Sequence, residues 1–327
     1  MAPVRIGVLG AAKIAPAAVV KPARANPEAV VASIAARDPQ RAAQFARKHG
    51  VPTVHPTYDA LLADPDVDAV YIPLPNGLHA EWTLRAIDAG KHVLCEKPMT
   101  ANAAEAEQVA DAAERSGLVV MEAFHYRYHP LAARMVEIVH GGELGAIRRI
   151  ESWLCFPLPM RHDIRWRYDL GGGALMDGCY ALHAQRLLGA GEPEVVGAHA
   201  LLREPRVDRA MSVDLRHADG AVGRAHASMW SQRVLKVAVR VVGDRGEMRV
   251  TNFVAPQLWH RLVLRVDGRT TRSRMPGDAT YAYQLRAFTA AVLRGEPVLT
   301  PAADAVPTMR LIDDAYRAAG LPLRGMR

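Results

Sequence analysis

The chain has 327 residues, half of them hydrophobic and 23% charged, with a formal charge of +7. These values describe a folded globular protein with room for two cores, at roughly 100–200 residues per domain, and exclude a disordered chain. The arginines are scattered, with no sustained basic run and no aromatic-interleaved patch, so nucleic acid is not an expected partner and the excess charge fits small anionic ligands.

No apolar run is long enough to span a bilayer, and Met1-Ala2-Pro3-Val4 leads straight into a strand pattern. A soluble, cytoplasmic protein without a membrane partner is expected. Cys95, Cys155 and Cys179 lack metal or redox spacing and sit in apolar surroundings, which predicts reduced thiols.

In chain order, the first 120 or so residues alternate strand and helix, the rhythm of a parallel sheet with crossover helices. Val4–Leu9, Val30–Ala36, Ala69–Pro73, His92–Glu96 and Val119–Ala123 are the expected strands. Pro16 and Pro22 interrupt the first crossover, and Pro22 is expected to end or bend that helix. After Ala123 a helix is predicted from about Leu131 to His140, and strand-like runs then dominate: Val195–Leu201, Met211–Leu215, Ala221–Ser228, Lys236–Val242 and Leu262–Val266. Asp219-Gly220 and Asp267-Gly268 read as turns needing positive φ, and helices are expected over Tyr281–Arg294 and Ala302–Ala319.

The fold class is therefore α/β: an N-terminal Rossmann-type parallel sheet over 1–123, then an α+β domain over 124–327 with a mostly antiparallel open sheet. An open sheet carrying apolar strands such as Val237, Val239 and Val241 predicts a homodimer through its uncovered face.

The chemistry begins at Gly10-Ala11-Ala12-Lys13-Ile14-Ala15. Gly10 fills the first position of the dinucleotide fingerprint, where a tight turn is needed, while Ala12 and Ala15 replace the other two glycines. The second strand ends Ala35-Ala36-Arg37-Asp38-Pro39. Asp38 before Pro39 reads as a helix N-cap followed by proline at the first helical position. Arg37 is then left for the adenosine end, with Arg41 one turn on, and NADP is favoured over NAD.

Asn76 and His79 follow the strand ending at Pro73. Each reads either as a cap or first-turn residue or as a group beside the nicotinamide ribose. Val93-Leu94-Cys95-Glu96-Lys97-Pro98 brings a carboxylate, an ammonium and a proline to a strand end, where ligands of open α/β sheets bind. A partly desolvated lysine there suits proton transfer.

These stretches, with Pro75-Asn76…His79, Ala89-Gly90-Lys91-His92-Val93 and Glu122-Ala123-Phe124, resemble the Gfo/Idh/MocA oxidoreductases over nearly the whole chain. Asp163-Ile164-Arg165-Trp166 and Gly171-Gly172-Gly173-Ala174-Leu175-Met176-Asp177 are similar to the branch of dimeric dihydrodiol dehydrogenases and NADP-dependent D-xylose dehydrogenases. The resemblance implies hydride transfer between NADP (or NAD) and a hydroxyl or carbonyl of a sugar, polyol or dihydrodiol.

It implies cofactor contacts at Gly10, Ala12, Lys13, Ile14, Arg37, Arg41, Pro73, Asn76, His79, Glu96 and Lys97. It implies catalytic roles for Lys97, for Tyr180 as acid/base with His183 in reserve, and for Asp177. Relatives usually have one more residue between the aspartate and glycine of Asp177-Gly178. In a continuous helix of 3.6 residues per turn, either Asp177 or the Tyr180/His183 pair is then turned out of register.

His125-Tyr126-Arg127-Tyr128-His129 lacks a glutamate between its histidines, so no metal is expected, and Tyr126 is a candidate for lining the substrate. Arg161, His162 and Arg165 read either as pocket residues or as surface charges. Two rival functions remain: an NADP-binding regulator without turnover, and a dehydrogenase or reductase of nucleotide-linked sugars.

Overall fold

The computed structural model describes residues 2–231 and 234–325. It forms two compact units. One comprises the chain up to Thr100 with Ala104–His125 and Thr280–Val306; the other comprises Ala101–Ala103, Tyr126–Ala279 and the chain from Pro307 onward.

The first unit holds strands β1 (Val4–Leu9), β2 (Ala29–Ala35), β3 (Thr53–His55), β4 (Ala69–Ile72), β5 (His92–Cys95) and β6 (Val120–Glu122). All pair parallel, in the order β3-β2-β1-β4-β5-β6. Strands covered on both faces must be apolar throughout, and β4 and most of β1 are buried residue after residue. The order runs outward in opposite senses from β1 and β4, which opens a crevice at their carboxyl ends.

The crossovers include α1 (Lys21–Arg24), α2 (Pro39–His49), α3 (Tyr58–Leu62), α4 (His79–Asp88) and α5 (Ala103–Ser116). The helix does not end at Pro22. A π-helical turn, Pro16–Val20, precedes α1, and the Lys21 amide bonds the Pro16 carbonyl five residues back. The wider turn opens the ladder where a proline has no N–H to give, so the helix continues through Pro22 to Arg24. Asp38 caps α2 as expected, its Oδ1 accepting the Gln40 and Arg41 amides at 2.9 and 3.3 Å, with Pro39 in the first turn.

The second unit holds α6 (Pro130–His140), α7 (Ala174–Asp177), α8 (Tyr180–Leu188) and the strands β7 (Ile147–Cys155), β8 (Glu194–Glu204), β9 (Val207–Arg216), β10 (Val222–Ser228), β11 (Lys236–Gly243), β12 (Gly246–Thr251), β13 (Arg261–Val266) and β14 (Arg269–Ser273). Their order is β14-β13-β12-β11-β7-β10-β9-β8, antiparallel except for the β7–β10 pair. Of the two expected turns, Asp267-Gly268 has positive φ at both residues and Asp219-Gly220 only at the glycine. Helix α9 (Thr280–Arg294) belongs to the first unit, and α10 (Ala302–Ala318) contributes to both.

Helix α8 covers one face of this sheet. Ser152 Oγ donates to the Ala181 carbonyl at 2.7 Å, and Gln185 Nε2 donates to Ser152 Oγ at 2.8 Å. Val239 and Val241 pair with Ser152 and Ile150, so they point to that same covered face and are fully buried within the unit. The residues alternating with these valines point to the opposite face of the sheet. That face carries Trp153, with the Lys236 ammonium 3.2 Å from its ring centroid and His226 stacked at 6.0 Å, and Arg240 bridging Glu151 and Glu247.

All three cysteines are buried and unbridged. Among the described residues, no helix is long and apolar enough to cross a membrane.

Candidate active site

In the first unit, the residues singled out from the sequence gather at the carboxyl edge of one sheet. Gly10 follows β1 at φ +113°, and a Cβ there would lie 3.1 Å from Leu74 Cδ2, so the turn needs glycine. Beyond it, the Ala12 amide turns back to the Gly10 carbonyl, while the amides of Lys13 and Ile14 donate to no backbone carbonyl among the described residues. Amides left over at a helix start suit an anion such as a pyrophosphate.

Arg37 ends the loop after β2 and is exposed, and Arg41 reaches back to the Ala11 carbonyl at 3.2 Å. Tyr58 hydrogen-bonds the Arg37 backbone; burial of its ring raises the phenol above its ordinary range.

After β4, Pro73 and Asn76 lead through a short 3-10 turn into α4. His79 lies 1% exposed, its Nδ1 2.7 Å from the Pro98 carbonyl and its Nε2 2.7 Å from the Leu74 carbonyl. It is neither a solvent-facing first-turn residue nor a ring open to a ligand. It braces the β4 and β5 loops, a job the sequence did not reveal. Burial lowers its pKa, against the pull of the two carbonyls, and the Lys97 charge lowers it further.

After β5, Glu96 is buried and accepts a 2.7 Å hydrogen bond from the Tyr71 hydroxyl. Tyr71 and Tyr281 both have pKa values raised by burial and then by the Glu96 charge, so both stay phenols beside the carboxylate. Lys97 follows, half-buried, before a cis bond to Pro98. The loop is held from β6, where Glu122 Oε1 accepts the Met99 amide at 2.8 Å.

His125 closes this corner. It is fully buried, with Nδ1 2.8 Å from Thr280 Oγ1 and its ring 4.1 Å from that of Tyr281. Burial, and then the Lys97 charge, bring its pKa down to about 3. Lys97 thus lies electrostatically within reach of two neutral histidines, His79 and His125.

In the second unit the stretch from Ala174 to Leu188 is not one continuous helix. Helix α7 stops at Asp177, and α8 starts at Tyr180 after Gly178 and Cys179. The Ala181 amide bonds the Gly178 carbonyl, three residues back, while the His183 amide bonds the Cys179 carbonyl four back. The helix is thus interrupted between Asp177 and Tyr180. A Cβ on Gly178 would sit 2.5 Å from that of Ala227 on β10, so only glycine allows this close approach.

Asp177 pairs with Arg165, Oδ2 to Nε 2.9 Å, while Tyr180 and His183 turn inward. Tyr126 shares a 2.6 Å hydrogen bond with His183 Nδ1, and its ring lies 5.8 Å from Tyr180 and 5.2 Å from Phe253. Tyr126, anticipated as a lining residue, is fully buried and supports the α8 residues from behind. The hydrogen-bonding and electrostatic roles of Tyr71, Glu122 and Tyr281 were missed. A tyrosine in the all-buried β4 and a glutamate ending β6 were the available signals, since such groups enter a core only with a partner. Among the described residues no cluster of histidine, cysteine and carboxylate ligands could hold a metal.

Comparison with known proteins places this geometry in context. Residues 4–124 match the family model described as "Oxidoreductase family, NAD-binding Rossmann fold", and residues 132–249 match the "GFO/IDH/MocA C-terminal domain". D-xylose 1-dehydrogenase (NADP(+)) 2 of Haloferax volcanii is 41% identical over 316 residues, 96% of each chain. A dTDP-3,4-didehydro-2,6-dideoxy-alpha-D-glucose 3-reductase of Actinomadura kijaniata is 34% identical, covering 95% of this chain and 94% of that one. A crystal structure of a 3-ketoreductase from Actinomadura kijaniata, in complex with NADP and TDP-benzene, superposes with a TM-score of 0.89 at 32% identity, over 97% of this chain and 98% of the other.

The His125 environment sets a pH dependence. The folded ring stays neutral down to about 3, whereas the unfolded one protonates near its ordinary 6.5. The unfolded state therefore binds the extra proton, and stability falls as pH drops through that window by about 1.4 kcal/mol per pH unit. In urea melts, the stability advantage of wild type over His125→Asn should narrow at about that rate between about pH 6 and about pH 4. Parallel pH–stability curves for the two proteins would contradict the buried, neutral assignment.

Proposed function

Because the chain belongs to the Gfo/Idh/MocA oxidoreductase family, we propose that it oxidises a secondary or hemiacetal alcohol of a sugar, polyol or dihydrodiol reversibly with NADP, as a cytoplasmic homodimer. The observation that carries the reading is Lys97 at the carboxyl end of β5, next to a buried Glu96 anchored by Tyr71. We assign dinucleotide binding to residues 1–123 and substrate binding with dimerisation to 124–327.

The residues of the first unit fit a dinucleotide. The Gly10 turn and the Lys13 and Ile14 amides offer a pyrophosphate cradle, and Arg37 with Arg41 stands at the adenosine end while Asp38 is occupied as a cap. Pro73 and Asn76 flank the crevice, and His79 holds the loops that form it. When bound, the nicotinamide supplies the hydride acceptor or donor.

The chain's own work is to manage one proton and a developing negative charge. Lys97 stabilises the substrate oxygen as it becomes an alkoxide, and Tyr180 takes the hydroxyl proton. His183, bonded to Tyr126, orients that part of α8 and stands in reserve as the base, and Asp177 acts through its pair with Arg165. Dimerisation is assigned to the uncovered sheet face around Trp153 and Lys236.

A second reading, reduction of a nucleotide-linked sugar, is favoured by the likeness to the dTDP-sugar reductase and to the ketoreductase crystallised with TDP-benzene. A regulator without turnover has less support, since the relatives reported above are named as dehydrogenases and reductases.

In a fluorescence titration, NADP should bind more tightly than NAD, and Arg37→Ala should erode the preference by about tenfold or more, the worth of a charge-assisted contact. Equal affinities for the wild-type protein would sink this assignment. Light scattering at micromolar concentration should return twice the monomer mass, and a monomer mass would rule out the dimer. Stopped-flow measurement of NADPH formation across aldoses, polyols, dihydrodiols and dTDP-sugars tests catalysis. Lys97→Met should lose about a hundredfold or more in kcat while its NADP affinity changes by less than about threefold, and Tyr180→Phe should behave likewise. Wild-type turnover by Lys97→Met would show that the central residue is misassigned.

A further inference from the structure

The largest fully buried side chain among the described residues is a charged one, Arg324 of the second unit. Its Nε donates to the Gly172 carbonyl at 2.7 Å, one Nη to the Pro322 carbonyl at 2.7 Å, and the other to Asp208 Oδ1 at 2.9 Å. The guanidinium lies 4.0 Å from the ring centroid of Tyr316, whose hydroxyl also donates to Asp208 Oδ1 at 3.0 Å. The second oxygen of Asp208 accepts the Leu175 amide at 2.8 Å.

The two ends of this pair grip two sides of one feature, the glycine turn that opens α7. Gly173, at the N-terminus of α7, has no side chain with which to cap the helix. Asp208, on β9, caps it from outside, satisfying an amide that a helix start otherwise leaves unbonded. Arg324 holds the carbonyl just before the turn, and the Gly172 and Gly173 amides are tied to the Arg167 and Arg165 carbonyls.

The glycines are a consequence of this packing. A Cβ on Gly173 would fall 2.3 Å from Asp208 Oδ1 and 2.7 Å from Tyr316 Oη, and one on Gly172 would fall 2.5 and 2.6 Å from two backbone oxygens. Four residues of α7 and the Gly178 break then lead directly to Tyr180.

A buried ion pair is a weak source of net stability, because desolvating both charges offsets most of their attraction. A planar guanidinium with donors committed in three directions does fix angles, which an apolar cluster of the same volume would not. We propose that Arg324, through its pair with Asp208, is a positioning residue that sets the direction in which α7 and α8 present Tyr180 to the substrate. This rests on the reading of Tyr180 given above.

The test uses the full-length protein with the substrate identified by the turnover panel, and four variants: Arg324→Lys, Gly173→Ala, Leu262→Ala and Tyr180→Phe. Lysine keeps the charge but not the three-way fork. Gly173→Ala pushes on Asp208 from the turn, and it carries the test if Arg324→Lys does not fold. Leu262 is buried in β13, outside this network, and its alanine variant reports what lost stability alone does.

Arg324→Lys and Gly173→Ala should each lower kcat by about tenfold or more and move the pKa read from the kcat–pH profile by about half a unit or more, with NADP affinity unchanged. Leu262→Ala, assayed below its melting temperature, should keep the wild-type kcat and profile. If Tyr180→Phe is inactive while Arg324→Lys and Gly173→Ala match Leu262→Ala, the positioning role is overturned and the reading of Tyr180 stands. If Tyr180→Phe turns over like wild type, the acid/base reading fails and the positioning role falls with it.

Discussion

The first unit depends on one topological constraint: a parallel sheet whose strand order reverses between β1 and β4. Every loop at the carboxyl edge then opens toward the same crevice, since parallel strands all point one way and neighbours on either side of the reversal send their crossovers to opposite faces. Gly10, Arg37, Asn76 and Lys97 lie far apart in sequence. Each follows the end of a strand, and the sheet alone brings them to one edge. The apolar strands beneath are what make that edge rigid, because their backbone groups are paired on both sides and their side chains are buried on both faces.

A second principle recurs in both units: a carboxylate taken out of water must be partnered, and its partners become fixed points. Glu96 is held by Tyr71 beside the loop carrying Lys97, and Glu122 holds the amide two residues beyond that lysine. In the second unit, Asp208 gathers Arg324, Tyr316 and the first turn of α7. Each group would be costly if left alone, and each is spent on a loop or helix end rather than on the middle of an element. Flexible connections thereby gain the precision that a reacting site needs, without extra length of helix or strand.

Much of this was legible before folding. The alternating rhythm of the first unit gave five of its six strands to within a residue or two, because buried parallel strands read as short apolar runs; the short, largely exposed edge strand β3 was passed over. Asp38-Pro39 announced its cap, and the Glu96-Lys97-Pro98 stretch announced the strand end. The second unit was less readable. Strand β7, at the centre of its sheet, carries Arg148 and Arg149 and was passed over, and β14 is polar throughout. Their pairing is decided by neighbours, not by their own pattern. The bracing role of His79 and the Tyr126–His183 bond have no local signature at all. They arise from contacts between residues distant in sequence.

The central claim is that this chain transfers hydride directly between a carbinol carbon and a nicotinamide, with Lys97 stabilising the oxygen that is left behind. The direct measurement is isotopic. A substrate sugar deuterated at the carbon to be oxidised is incubated with the wild-type protein and NADP, and the recovered cofactor is analysed by mass spectrometry and NMR. The account predicts one deuterium at the nicotinamide C4 position of NADPH, delivered to one face, and almost none formed by Lys97→Met over the same interval. Tight cofactor binding by the wild type with no deuterium transferred from any aldose, polyol, dihydrodiol or nucleotide-linked sugar would contradict it.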